Sequence, residues 1–266
     1  GPATVFTNGR VRFVRDATGG AADYASVRFE SGTGVFLGNS GLVVGTNVIT
    51  VLPSAFAFGT FGDRPDVEVE AGGYFNLSES ANARDAAIEG LSGEGTVTSL
   101  ASAAANATLT IQPRAEHVFG GRIVNGSSLT DLVPGAAATV ALTINGGGSQ
   151  ILTGDNTYSG PTTITSGTLV LAATNGAAAG NSSALSVGAA GVLVLARSEQ
   201  IADGATVTFA GGELRVADGV NETVGALTVS AASTITMDTG SGSSLAFGTY
   251  SPTQLLTIRN LGGGNK

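Results

Sequence analysis

The chain has 266 residues, a formal net charge of -8, 41 glycines, no cysteine, no tryptophan and only 12% charged residues. A disulfide scaffold is excluded, and so are zinc sites built from cysteines or several histidines. The acidic balance leaves no basic footprint for nucleic acid, and no run approaches the ~18–20 apolar residues of a membrane helix. Val, Ile, Leu and Phe recur in compact clusters throughout, which argues against disorder.

The first strand-like runs are Thr4-Val5-Phe6 and Arg10-Val11-Arg12-Phe13-Val14. Alternation at period two sets Val11 and Phe13 on one side and Arg10 and Arg12 on the other. This segment, with Val5, Arg10, Val11, Arg12 and Phe13 as its marked residues, is a candidate assembly strand, able to cap its own sheet or add to a neighbour's edge. Ser26–Phe29, Asn47–Val51 and Asp66–Val69 alternate in the same way. Within Asp66-Val67-Glu68-Val69-Glu70, three carboxylates share one strand face. A solvated outer face over buried Val67 and Val69 is the favoured reading, ahead of calcium binding or acid–base work on a polysaccharide. The window from Asp63 to Glu94 holds eight acids and two arginines.

Helical signal is almost absent, and the best window, Asn82–Ile88, is too short to stand as a helix. His117 is the only histidine. No serine at a strained elbow accompanies it, so a surface or turn position is expected rather than nucleophilic catalysis. The glycine runs 146–148 and 262–264 lack the lysine of a phosphate-binding loop and are assigned to loops. The turn dipeptides Asn125-Gly126, Asn145-Gly146 and Asp203-Gly204 would suit hairpins as well as tight corners.

Repetition separates these alternatives. From about residue 160 a Thr-rich strand, a glycine, an apolar strand and a small-residue loop recur. Thr163–Leu171, Ala184–Leu195, Val207–Val216, Ala226–Val229 and Ser233–Met237 are successive examples. Coils of about 22 residues are the spacing of a stacked solenoid, in which each coil buries its apolar face only against its neighbours. The expected fold is therefore all-β, a parallel β-helix (β-solenoid). Residues 85–266 form the repeat-bearing part, and residues 1–84 form a strand-rich N-terminal extension, serving as first coils or as an assembly strand.

Residues 151–169 read Ile-Leu-Thr-Gly-Asp-Asn-Thr-Tyr-Ser-Gly-Pro-Thr-Thr-Ile-Thr-Ser-Gly-Thr-Leu. This run resembles the autotransporter-associated β-strand repeat, L-x-G-x-N-T-Y-x-G-x-T-x-I-x-x-G-T-L, found in exported bacterial proteins with a passenger-type β-helix. Gly154, Asn156, Thr157, Tyr158, Gly160, Gly167 and Leu169 occupy the repeat-core positions. The wider resemblance spans about residues 85–260. It implies a right-handed β-helix, export, and a place outside the cell or on the bacterial surface. It carries over no catalytic residue, and no cofactor or metal is expected.

Tyr158 is expected to pack over a coil edge with its hydroxyl in water, ahead of a place in a sugar-binding surface. The expected function is a non-catalytic structural surface or matrix protein, associating with itself into fibres through its ends. A glycan-binding adhesin is the alternative, and a polysaccharide-acting β-helix enzyme ranks below it.

Overall fold

A computed structural model describes residues 4–7, 10–13, 25–28, 34–37, 41–45, 48–51, 64–79, 82–101, 106–126, 138–238 and 242–260. Every regular element among them is a strand. The strands pair in parallel between successive coils, the pattern of a β-solenoid, with Ser78–Glu79 against Asn82–Ala83 as an antiparallel exception. The window Asn82–Ile88, the nearest approach to a helix in the sequence, instead contributes the short strands Asn82–Ala83 and Ala86–Ile88.

Three ladders make up the wall. The first starts at Arg10–Phe13 and passes through Gly41–Val44, Asp66–Val69, Leu91–Gly93 and Glu116–Phe119. It continues along the second halves of Thr139–Leu152, Thr162–Leu171 and Ala184–Leu195. Glu213–Val216, Ser233–Met237 and Leu256–Asn260 complete it. The second ladder is Ala25–Arg28, Val48–Val51, Tyr74–Asn76, Thr96–Ser99 and Arg122–Asn125. The third runs from Ala86–Ile88 and Asn106–Ile111 through the first halves of the same three long strands. Thr206–Ala210 and the later parts of Asn221–Ala231 and Ser244–Pro252 extend it.

Coil length varies more than the repeat suggests. Along one register column, 33 residues separate Phe119 from Leu152 and 19 separate Leu152 from Leu171. From Leu195 to Val216 and from Val216 to Met237 the step is 21. Part of the variation falls within the strands: the pairing of Thr139–Leu152 with Thr162–Leu171 shifts register between Ile144 and Ser149, and that of Thr162–Leu171 with Ala184–Leu195 between Ile164 and Ser166.

Alternation sets the core. In Ala184–Leu195, Leu185, Val187, Leu193 and Leu195 are buried while Ser186, Val192 and Val194 are half-exposed. Parallel register then places like on like. Leu169, Leu193, Leu214 and Ile235 form one buried column, and Ile88, Ile111, Ile144, Ile164, Val187 and Phe209 form another. A fully buried aliphatic side chain contributes about 1.5–3 kcal/mol relative to exposure. Gly167 turns the chain from the third ladder to the first at a φ of 78°, a left-handed conformation that favours glycine.

Each coil touches only its neighbours, so damage should stay local. Leu193→Ala, read by denaturant unfolding, should cost about 2–5 kcal/mol. Hydrogen exchange should lose protection around Leu171 and Leu214 before it changes around Val97.

Candidate functional site

The repeat core lies at a corner where the ladders are interrupted. Leu152 ends a strand of the first ladder, and the next six residues cross to the second face without regular pairing. Gly154 passes so close to the backbone of Gly121 that a Cβ would overlap the Gly121 carbonyl oxygen. Asn156 is buried, and its Oδ1 accepts from the Ile123 N–H at 2.7 Å. Its Nδ2 donates to the carbonyls of Ala178 at 2.9 Å and Gly154 at 3.2 Å. One amide therefore ties three successive coils. The N–H groups of Thr157 and Tyr158 both donate to the Ile123 carbonyl, and Gly160 donates to Val140 at 3.0 Å.

Tyr158 is fully buried, so its hydroxyl is inside the solenoid and not in water. It bonds the Thr162 hydroxyl at 2.7 Å, which bonds the Ser182 hydroxyl at 2.9 Å; Ser182 donates in turn to the Gly160 carbonyl at 3.0 Å. The cause is a substitution within a column: Thr162 stands between Leu142 below and Leu185 above, where a leucine would fill the same space. Burial pushes the Tyr158 phenol up to about 12, opposed by its bond to Thr162. A buried ring of this kind offers no platform to a sugar.

Other corners use the same device. Asn125 Oδ1 accepts from the N–H groups of Val140 and Ser159, each at 3.1 Å. Gln200 Oε1 accepts from Ala173 at 2.7 Å. Glu222, 1% exposed, takes the N–H of Gln200 at 2.8 Å and of Ile201 at 2.9 Å. Burial raises its pKa to about 7, with Glu199 and Asp203 adding to the rise and the two backbone bonds opposing it.

The acidic strand behaves as the alternation predicts. Val67 and Val69 are fully buried, while Asp66, Glu68 and Glu70 stand at the surface, half-buried. Asp66 is nevertheless not simply solvated, because its Oδ1 lies 3.6 Å from His117 Nε2. His117 is in the strand Glu116–Phe119 with its side chain only 15% exposed, not in a turn or free on the surface. Glu89, from the coil between, pairs with Arg114 at 3.6 Å. Only the register of three coils brings these residues together. A groove of about 380 Å³ follows a neighbouring corner, lined by Glu94, Thr153, Asp155, Thr174 and Asn175 among others, none of them aromatic.

The candidate assembly strand enters the chain's own solenoid. Thr4–Thr7, containing Val5, pairs with Gly34–Leu37, and Arg10–Phe13 pairs with Gly41–Val44 as the terminal rung of the first ladder. Its side chains lie outside the described residues. At the other end, Tyr250, Leu255 and Ile258 are 51%, 69% and 66% exposed.

Residues 142–171 match the family of the passenger-associated-transport-repeat. The stretch runs from the third ladder through the first, across the repeat-core corner, and through the third and first ladders again, about one and a half coils. Together with the stacked parallel architecture it agrees with the passenger-type β-helix of autotransporters that the sequence resembles. No curated protein and no solved structure matches the chain.

Asn156→Ala would strand the Ile123 N–H and the Ala178 carbonyl in the interior. Loss of roughly 2–4 kcal/mol in denaturant unfolding is expected, with the β-rich circular dichroism of the folded state retained.

Glu222 supplies a pH dependence of defined sign. Its folded pKa stands above the usual carboxylate value, so folding takes up a proton between about pH 4.5 and 7. The contribution is complete below about 4.5 and lost as pH rises through 7. Wild-type stability should therefore rise by about 2–3 kcal/mol between pH 8 and pH 5 relative to Glu222→Gln. Parallel pH series for the two proteins would show the difference; identical slopes would refute it.

Proposed function

We propose that this chain is a structural, non-catalytic solenoid segment of an exported bacterial surface protein, and that its ends join further copies of itself into fibres. Export is supported by the passenger-associated repeat at 142–171. No helix among the described residues is long and apolar enough to cross a membrane.

The observation that supports self-association is the exposure of apolar residues on the last described rung. Ile258 is in register with Ile235, which is 1% exposed, yet is itself 66% exposed. Tyr250 stands in the same relation to Leu227. Both belong to columns that the preceding coils bury by stacking: Ile235, Leu214, Leu193 and Leu169 in the one, Leu227, Val207 and Leu185 in the other. Among the described residues, Leu256–Asn260 and Ser244–Pro252 have a strand partner on one side only, as does Arg10–Phe13 at the opposite end. Parallel pairing of one copy's last rung to another's first would cover the apolar columns and satisfy both edges. Such a head-to-tail contact does not close on itself, so it propagates as a filament.

Support for a non-catalytic role comes from what the walls present. The repeat-core tyrosine is inside, and Asp66, Glu68 and Glu70 alternate with buried Val67 and Val69 on the outer face of a strand. Sedimentation velocity over a concentration series, with negative-stain electron microscopy, should show rods growing by whole-chain increments. Leu255→Asp combined with Ile258→Asp should leave the secondary structure intact and the protein monomeric. Wild-type protein that stays monomeric at high concentration would overturn the reading.

A further inference from the structure

His117 occupies a place in the wall where an apolar side chain is expected. The register puts it under Gln150, above which Leu169, Leu193 and Leu214 continue the column. The imidazole lies against Gly90 instead, where a Cβ would overlap the ring. Gln150 closes the wall in its absence. Its Oε1 accepts from the Leu91 N–H at 3.1 Å, and its Nε2 donates to the carbonyls of Leu91 at 3.0 Å and His117 at 3.3 Å. A glycine that admits the ring and a glutamine that repairs the ladder together hold His117 towards Asp66 and Glu89.

The geometry points to a binding site for a divalent transition-metal cation, Zn²⁺ by its donor set, formed by Asp66, Glu89 and His117. One donor atom from each lies within 4.8 Å of the other two. His117 Nε2 and Asp66 Oδ1 are both buried atoms without a hydrogen-bond partner, and they face each other at 3.6 Å. That separation is too long for a hydrogen bond. It fits two ligands of one ion, since donors about 2.0–2.2 Å from a tetrahedral centre stand about 3.4 Å apart. With Nε2 unprotonated, two buried lone-pair atoms face each other unpaired, at a cost in free energy that a shared cation removes.

Charge alone does not ask for the ion. Arg114 lies 3.6 Å from Glu89, and Arg64 lines a small cavity with Glu89, Gln112 and Arg114, so the carboxylates already have basic neighbours. The orphaned pair of atoms is what the arginines leave unsatisfied. An imidazole nitrogen with two carboxylates suits zinc and its neighbours better than calcium, which takes six to eight oxygens. Solvent would complete the coordination. The three ligands come from three successive coils, so bound metal would clamp them together.

The test is calorimetric titration of the full chain, free of any histidine tag, with ZnCl₂ and separately with CaCl₂, and a Co²⁺ titration followed by visible absorption. One saturable Zn²⁺ per chain, a raised thermal midpoint and visible Co²⁺ bands of low-coordinate nitrogen–oxygen ligation are expected, with no saturable Ca²⁺ uptake. His117→Gln should abolish the Zn²⁺ isotherm and the Co²⁺ bands while keeping the β circular dichroism. Absence of wild-type Zn²⁺ binding, or unchanged binding in His117→Gln, would overturn the proposal. Should that variant not fold, Glu89→Gln decides in its place: weakened binding supports the site and unchanged binding refutes it.

Discussion

Everything in this solenoid depends on the parallel hydrogen bonding of one coil to the next. A strand in the wall uses its N–H and carbonyl groups above and below, so every coil is both template and product of its neighbours. The requirement is easily met where strands are straight. It fails at corners, where the backbone turns and its polar groups point into the narrow interior. An unpaired amide there is costly. Asn125, Asn156, Gln150, Gln200 and Glu222 answer that cost with side chains that imitate a missing piece of backbone. Such side chains carry donors and acceptors at the reach needed to bridge adjacent coils. The polar interior is thus a consequence of the fold's geometry.

The same constraint explains what could be seen in the sequence. Alternation identified Val67 and Val69 as inward and their flanking acids as outward, because a strand has only two sides. The recurring Thr-rich and apolar pairs after residue 160 announced stacking, because no coil of that length can bury its face alone. The corners were less legible. Tyr158 was expected to keep its hydroxyl in water, yet it reaches Thr162, whose place in a leucine column is visible only once the register is known. Asn82–Ile88 carried a faint helical spacing that strand pairing overrode. His117, Glu89 and Asp66 are 51 residues apart from first to last. With coil steps that range from 19 to 33 residues, no fixed period would have placed them side by side.

Uneven coil length also bears on how the stack tolerates change. Between Ile144 and Ser149 the shift in register falls inside a paired strand, and the columns on either side of it stay aligned. The step of 33 residues between Phe119 and Leu152 ends inside the matched repeat, and the step of 19 from Leu152 to Leu171 lies wholly within it. Asn156 belongs to the shorter coil and bonds to Ile123 in the longer coil below it and to Ala178 in the coil above. The repeat core therefore ties a long coil to the shorter ones that follow it. Its glycines are small for the same reason: at Gly154 the backbones of adjacent coils approach more closely than a side chain allows.

A one-dimensional stack has a further property that a globular core lacks. Its interior is open at both ends unless something covers it, and the covering group must match the strand register as well as the apolar columns. A patch of loose hydrophobic surface could be masked by almost any partner. An edge with Ile258 and Tyr250 in line with buried Ile235 and Leu227 accepts best another rung of parallel strand with apolar residues at the same two-residue spacing. Complementarity of this kind favours like partners over unlike ones.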